Sequence, residues 1–184
     1  MKPMFITLAL LATAAHAGAP MTADGPHPDA PEQLKQYGQL QGDWLCRGSN
    51  PQPDGSWQEN PNPPASWSWY YVLDGYAIQD VWKPGDGKSP WGTNLRTYDA
   101  ETGKWNMVWA TQQQARFDEF SAEFVDGNIV MTGQRWARPA FQAHTARITF
   151  HNIQKEHFDW KYEVAAADGS WSEFSRLSCD RDNP

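Results

Sequence analysis

The sequence predicts an all-β fold: an antiparallel up-and-down β-barrel of about ten strands with one short N-terminal helix. Three observations support this prediction: regularly spaced turn signals, strand-like segments between them, and a high aromatic content. The 184 residues include 11 Trp, 6 Tyr and 8 Phe. That length suits a single domain, and buried aromatic surface of this extent offsets the entropy lost on ordering the chain.

The turn signals are Asp-Gly pairs at 54–55, 74–75, 126–127 and 168–169, and a slightly longer turn at 99–103. Asp-Gly favours the positive φ angles of a tight hairpin. The predicted strands between these turns are Gly42–Gly48, Ala65–Leu73, Tyr76–Lys83, Gly92–Asp99, Lys104–Gln112, Ala115–Val125, Asn128–Trp136, Phe141–Asn152, His157–Ala166 and Ser170–Cys179. A meander of this length removes its exposed edges by closing into a barrel.

The N-terminus carries the pattern of a secretory signal peptide over residues 1–17. Lys2 precedes an apolar run from Met4 to Ala15, and Ala15-His16-Ala17 is a small-residue cleavage site, so we expect the cut after Ala17. Residues 18–31 contain four prolines and predict an extended leader arm, followed by a single barrel domain over 32–184. Leu34, Tyr37 and Leu40 recur at helical spacing, which predicts a helix within Glu32–Leu40.

The cysteine count and the predicted export together suggest a disulfide. Cys46 and Cys179 are the two cysteines of the chain, and a periplasmic or secreted location is oxidising. We therefore expect these residues to be bonded to each other, and not to be a redox or metal pair.

The charge balance excludes some partners. With 22 acidic and 15 basic residues, the formal net charge is −7, and no basic run is present for nucleic acid or for an anionic membrane surface. No apolar run after the predicted signal peptide is long enough for stable membrane insertion. No metal-ligand spacing is evident, so neither a metal nor another cofactor is expected.

The segment Gly42-Asp43-Trp44 on the first predicted strand, together with Arg176 on the last, resembles the signature of the calycin superfamily. In that superfamily a Gly-x-Trp and an arginine pack together at the closed base of the barrel. The resemblance implies that Gly42, Trp44 and Arg176 are structural, with a guanidinium stacked on an indole. The bond between Cys46 and Cys179 would then join the first and last strands.

A second resemblance covers most of residues 40–179. The segments 71–82, 92–99 and 103–105 are similar to bacterial calycin-like domains of unknown function, which are related in shape to nitrobindin and the fatty-acid-binding barrels. Because nitrobindin carries haem, His144, His151 and His157 are candidate haem ligands. Strand alternation places His144 and His151 on opposite faces, so exposed or otherwise satisfied histidines are the favoured interpretation.

The predicted ligand-binding residues are polar and aromatic side chains on the inward faces of the central strands. If the strand faces that carry Asp80 and Arg96 both point inward, these two residues meet inside the barrel as an ion pair, because an unpaired buried charge is costly. The full predicted set is Trp69, Tyr71, Asp80, Trp82, Arg96, Tyr98 and Trp109. An equally open alternative is that the tryptophans simply fill a small barrel.

The favoured function is binding of a small apolar or aromatic ligand in the barrel cavity. One alternative is a lyase or isomerase on the same barrel, for which the conceivable acids are Asp80, Asp118, Glu119 and Glu163. Another is carbohydrate recognition by exposed tryptophans, namely Trp57, Trp67, Trp69 and Trp91. The sequence does not identify catalytic residues, the ligand, the oligomeric state or the end at which the barrel opens.

Overall fold

The structure, a computed structural model, describes residues 22–113, 115–138 and 142–183. The predicted signal peptide and the start of the predicted leader arm lie outside these residues. The secondary-structure elements are β1 (Thr22–Ala23), α1 (Leu34–Gly38), β2 (Gly42–Pro51), β3 (Trp57–Glu59), β4 (Ala65–Val72), β5 (Ala77–Lys83), β6 (Gly92–Asp99), β7 (Lys104–Thr111), β8 (Asp118–Val125), β9 (Asn128–Arg135), β10 (His144–His151), β11 (His157–Ala165) and β12 (Trp171–Arg181).

The strands form a closed antiparallel barrel, which confirms the predicted fold class. Strands β4 to β12 pair in chain order, β12 pairs with β2, and β2 pairs with β4, which closes a ring of ten strands. All ten correspond to predicted strands. The two short strands lie outside the ring: β1 pairs with the end of β4, and β3 pairs with the end of β2.

The Asp-Gly pairs lie in the turns that the sequence predicts. Asp74 and Gly75 have φ angles of 56° and 83° between β4 and β5, and Asp126 and Gly127 have φ angles of 50° and 79° between β8 and β9. Both residues of each pair thus take the left-handed conformation. Asp126 and Gly127 form a two-residue hairpin loop between Val125 and Asn128, whereas Asp74 and Gly75 lie in a four-residue loop between Val72 and Ala77. These turns set the register that sends alternate side chains inward.

Helix α1 covers one end of the barrel, which we call the base. Its buried residues Leu34 and Tyr37, with Leu40 just beyond it, are fully inaccessible. The indole N–H of Trp44 donates to the carbonyl of Leu40 at 2.7 Å, and that of Trp105 donates to Oε1 of Gln36 at 2.9 Å. The base is therefore packed, and these two indole donors are satisfied.

The first and last strands are bonded through the predicted disulfide. Cys46 of β2 and Cys179 of β12 are directly opposite in the register, their Cα atoms are 4.1 Å apart, and both side chains are buried. The bond closes the barrel at the junction of the two chain ends.

The arginine that stacks on Trp44 differs from the expected one. Arg181 lies opposite Trp44 in the β12–β2 register, and its guanidinium carbon is 3.8 Å from the indole centroid. Arg176 instead stacks on Trp57 and pairs with Glu173 on the outer surface. The physical reason is strand alternation: Arg181 has the same parity as inward-facing Cys179, whereas Arg176 has the opposite parity.

Gly42 keeps a structural role at the base. Its φ of 111° favours glycine, and a Cβ built there would lie 2.6 Å from Nη1 of Arg181. Any side chain would therefore disturb the stacking of Arg181 on Trp44.

The described part of the leader packs against the barrel. His27 stacks on Tyr76 with ring centroids 4.6 Å apart, and its backbone N–H donates to the carbonyl of Gly75 at 3.3 Å.

Among the described residues, no helix has the length and apolar character needed to cross a membrane.

Candidate functional site

The half of the barrel away from α1 contains a cavity of about 230 Å³. We call this end the mouth. The aromatic residues that line the cavity are Trp67, Trp82, Trp109, Trp160, Phe120 and Phe150. Met131, Ile148 and Leu177 add aliphatic surface. This apolar enclosure with few polar groups has the composition of a small-molecule site.

A fully buried ion pair forms the floor of this cavity. Nη2 of Arg96 lies 2.6 Å from Oδ2 of Asp80, and both side chains are inaccessible to solvent. Asn94 donates to both carboxylate oxygens of Asp80 through Nδ2, at 3.3 and 3.0 Å, and to Oδ1 through its backbone N–H at 3.1 Å. Asp80 is thereby saturated, as a buried carboxylate must be. Asp80 and Arg96 thus lie together inside the barrel as an ion pair, as the strand alternation predicts.

Arg96 is held between two aromatic rings. Its guanidinium carbon lies 4.4 Å from the Trp69 ring centroid and 4.8 Å from that of Tyr37. Burial raises the pKa of Tyr37, and the Arg96 cation opposes that rise. The Tyr37 hydroxyl also interacts with the Arg96 guanidinium, whereas Nε and Nη1 make no well-aligned hydrogen bond among the described residues. The guanidinium is thus fixed in position while part of its donor capacity is unused.

The buried side-chain polar atoms that lack a partner among the described residues are all nitrogens. They include the indole nitrogens of Trp67 and Trp109, which line the cavity, and of Trp69, which lies beneath Arg96. An unpaired buried donor costs roughly 1–3 kcal/mol. A site of this kind favours a molecule that supplies acceptor oxygens.

A second polar group lies at the mouth, around Asp118. This carboxylate is fully buried, accepts the backbone N–H of Trp136 at 3.0 Å, and lies 2.6 Å from Nε of Arg135. Arg138 pairs with the same oxygen, Oδ2. Arg135 borders both the inner cavity and an outer cavity of about 190 Å³ at the mouth.

His144 and Tyr162 form a hydrogen-bonded pair beside Arg135. Nε2 of His144 is 2.6 Å from the Tyr162 hydroxyl, and Nδ1 is 2.8 Å from the carbonyl of Gln142. Burial raises the pKa of Tyr162, and the positive charge of Arg135 opposes that rise. His144 therefore faces the barrel interior at the mouth.

The structure divides the predicted ligand-binding residues into three groups. Trp82, Arg96 and Trp109 line the cavity. Asp80 and Trp69 lie behind Arg96 and hold it in place.

Tyr71 and Tyr98 form the third group and belong to the base. The Tyr71 hydroxyl donates to the carbonyl of Leu34 in α1 at 3.5 Å, and the Tyr98 ring packs edge-on against Trp105. Both tyrosines face inward as alternation predicts, but they lie too far toward α1 to reach the cavity.

The sequence reasoning missed Arg135, Arg138 and Tyr162. Arg135 could have been found, since it is in phase with buried Ile129 and Met131 on β9. Arg138 follows the end of β9, where no periodicity applies, and it had no sequence signal.

The other candidate acids and histidines face away from the barrel interior, and Glu163 is buried there beneath its cationic partners. Glu163 pairs with Arg147, whose hydrogen bonds hold the pKa of Glu163 below its usual range, and Glu119 is exposed. His157 pairs with Asp159 and Asp180, and His151 has the outward parity of its strand. Among the described residues, no group of three or more His, Cys, Asp or Glu side chains is arranged to hold a metal ion.

Comparison with known proteins supports the fold and no activity. No protein-family model matches the chain, and no curated protein matches it in sequence. Among solved structures, Rv2717c from M. tuberculosis is similar, with a TM-score of 0.55 and 14% identity, over 84% of this chain and 100% of that chain. At this identity the similarity concerns the barrel fold alone.

Proposed function

We propose that this protein is an exported, calycin-like barrel that binds a small apolar or aromatic molecule in the cavity above Arg96. The carrying observation is the cavity itself: tryptophan walls enclose a buried guanidinium that is fixed by Asp80, Tyr37 and Trp69. Buried donors without an aligned acceptor lower stability, so Nε and Nη1 of Arg96 beside a cavity favour a ligand that supplies an acceptor.

The size and polarity of the cavity define the ligand. An apolar cavity of about 150 Å³ is enough for benzene, so one of about 230 Å³ suits a molecule of one or two rings. Because Asp80 already neutralises Arg96, the deep end of the ligand should be a neutral acceptor such as a carbonyl oxygen. The indole nitrogens of Trp67 and Trp109 provide further donors.

The signal-peptide pattern over residues 1–17 supports export, and the disulfide between Cys46 and Cys179 is compatible with it. The proposed location is the periplasm or the medium. The ligand would then be a molecule that the protein captures outside the cytoplasm.

The test uses 2-acetonaphthone, a two-ring neutral ketone, in isothermal titration calorimetry. Gly92→Ala is the blocking variant, because a Cβ at Gly92 would lie 2.0 Å from the Trp109 indole and force it to move. We expect the wild type to bind and the variant to lose about tenfold or more in affinity.

Gly25→Ala is the matched control. A Cβ there would meet no heavy atom within 4 Å, and Gly25 lies outside the cavity, so this variant should bind as the wild type does. If folded Gly92→Ala protein bound the ketone with wild-type affinity, the cavity would not be the binding site.

One observation favours a second candidate, a lyase or isomerase on the same barrel. Tyr162 lies between His144 and Arg135 at the edge of the cavity, an arrangement that can hold and move a proton at the Tyr162 hydroxyl. Tyr162→Phe should abolish turnover of a bound substrate while ligand affinity persists. Equal turnover in Tyr162→Phe and the wild type would remove this candidate.

Carbohydrate recognition has less support. Trp67 and Trp69 face the barrel interior, and Trp57 is covered by the guanidinium of Arg176. Of the four proposed stacking residues, only Trp91 is largely exposed, and Lys83 lies over its ring at 4.5 Å. These residues do not form a shared platform for a sugar chain.

A further inference from the structure

We infer that the mouth of the barrel contains an oxyanion subsite, formed by Arg135 and Arg138, that binds a carboxylate on the outer end of the ligand. This inference rests on the proposed function, since it assigns a second group to the same ligand. The subsite is separate from the Asp80–Arg96 pair at the floor, because Arg135 lies on β9 and Arg96 lies on β6.

The first argument is charge. Two guanidinium groups share the single carboxylate of Asp118, so the cluster carries one excess positive charge. The chain as a whole is acidic, with 22 Asp and Glu residues against 15 Lys and Arg residues and a formal net charge of −7. The excess positive charge at the mouth is therefore a local feature that the overall composition does not explain. At the floor, by contrast, Arg96 and Asp80 balance each other. An added anion is therefore favoured at the mouth and not at the floor.

The second argument is the direction in which the charges face. None of the described residues that border the inner or outer cavity is an acid, because Asp80 and Asp118 are fully buried behind their arginines. The side chains of Arg135 and Arg138 keep 19% and 23% of their surface exposed. A ligand thus meets the cations without meeting the carboxylates that hold them in place.

The third argument is unused donor capacity. Asp118 accepts from the backbone of Trp136 and contacts both arginines, so its oxygens are occupied. Nε of Arg138 is nevertheless buried without an acceptor among the described residues. The planar guanidinium fork matches a carboxylate, which can accept two parallel hydrogen bonds.

The fourth argument is reach. The inner and outer cavities share Arg135, Trp160, Tyr162 and Ser175 as common walls. A molecule whose rings lie between the tryptophans therefore directs its outer end toward Arg135 and Arg138. The ligand class that fits is a small aromatic or alicyclic acid, with its rings inside and its carboxylate at the mouth.

The experiment compares two probes of the same shape and different charge. Naphthalene-2-carboxylate and 2-acetonaphthone are titrated calorimetrically into wild-type protein and into Arg138→Gln. We expect the wild type to bind the carboxylate about tenfold or more tightly than the ketone, since hydrogen bonds from guanidinium groups to a carboxylate are charge-assisted. Arg138→Gln should lose this preference and keep its affinity for the ketone.

Two further variants keep the test decisive. Arg138→Lys retains the charge without the planar fork, so it should keep part of the preference even if Arg138→Gln is poorly folded. Arg116→Gln is the matched control: Arg116 is an exposed arginine near the mouth, stacked over Trp136 at 4.7 Å, and its loss should leave the preference unchanged.

The outcomes separate the two proposals. If both probes bind the wild type with equal affinity, or if Arg138→Gln and Arg138→Lys both keep the full preference, the oxyanion subsite is wrong and the cavity proposal stands. If neither probe binds the wild type, the cavity proposal fails and the subsite fails with it.

Discussion

The two ends of this barrel are built from the same residue types and differ in how their polar atoms are satisfied. At the base, the indole donors of Trp44 and Trp105 each have an acceptor on or next to α1. The exception is Trp69, whose indole N–H lies unpaired beneath Arg96. In the mouth half, the indole donors of Trp67 and Trp109 have none among the described residues. Aromatic content alone therefore does not distinguish a packed core from a binding site, whereas unpaired donors around a cavity do.

The largest expected effect concerns the disulfide that joins the first and last strands of the barrel. Reducing the disulfide, or replacing both Cys46 and Cys179 by Ser, opens a loop with a sequence separation of 133 residues. In the chain-entropy model, such a loop contributes about 4 to 5 kcal/mol to the free energy of unfolding. Denaturant unfolding with and without reductant measures it, and a loss below about 1 kcal/mol would show that the barrel holds its closure without the bond.

Truncating one tryptophan from each end tests the comparison itself. Trp44→Ala should lower the free energy of unfolding by about 3–5 kcal/mol, because it leaves a cavity in a fully packed region and removes a satisfied hydrogen bond. Trp109→Ala should be less destabilising, since this side chain already borders a cavity and its indole nitrogen is unpaired.

Binding should respond in the opposite order. Trp109→Ala should weaken calorimetric binding of 2-acetonaphthone, and Trp44→Ala should leave it close to the wild-type value while the protein remains folded. Equal effects of the two variants on both stability and binding would mean that the two ends do not have separate roles.

The two arginines on β12, Arg181 and Arg176, are expected to differ in their contribution to stability. Arg181→Ala removes a guanidinium stacked on buried Trp44 and should cost about 0.5–2 kcal/mol in thermal unfolding. Arg176→Ala removes a solvent-exposed pair with Glu173 and should change stability by less, about 0–1 kcal/mol. The reverse order would restore Arg176 as the residue that seals the base.

The smallest expected effect is a pH dependence at the outer edge of the base. The hydrogen bond to Asp180, with Asp159 nearby, raises the pKa of His157 above its ordinary 6.5. Protonated His157 therefore stabilises the fold; this contribution is complete below pH 6.5 and is lost as the pH rises through the folded pKa. His157→Gln should remove this slope from a stability–pH profile, and His151→Gln on β10 should retain it.

The sequence predicted the strands well because their signals are local. Asp-Gly turns and two-residue alternation identify where each strand runs and which face turns inward, and all ten barrel strands followed from them. The alternation of side chains also indicates the correct partner of Trp44. Arg181 lies on the same face of β12 as Cys179, and Arg176 lies on the opposite face. The family signature outweighed that parity and pointed to the other arginine.

The site was predicted less well because its position depends on non-local geometry. Alternation placed Tyr71 and Tyr98 inside the barrel correctly, but the depth of each residue along the barrel axis follows from the register of neighbouring strands. Arg138 follows a strand end, where its position depends on contact with Asp118, 20 residues away. Neither the depth of a residue along the barrel axis nor the position of Arg138 can be predicted from the spacing of residues in the sequence.

The most direct test of the central claim is a ¹⁵N NMR spectrum of the tryptophan indole N–H groups during titration with naphthalene-2-carboxylate. The account predicts that the resonances of Trp67 and Trp109 shift while those of Trp44 and Trp105 stay in place. Shifts confined to Trp57 and Trp91 would put the ligand on the outer surface and contradict a binding site inside the mouth half of the barrel.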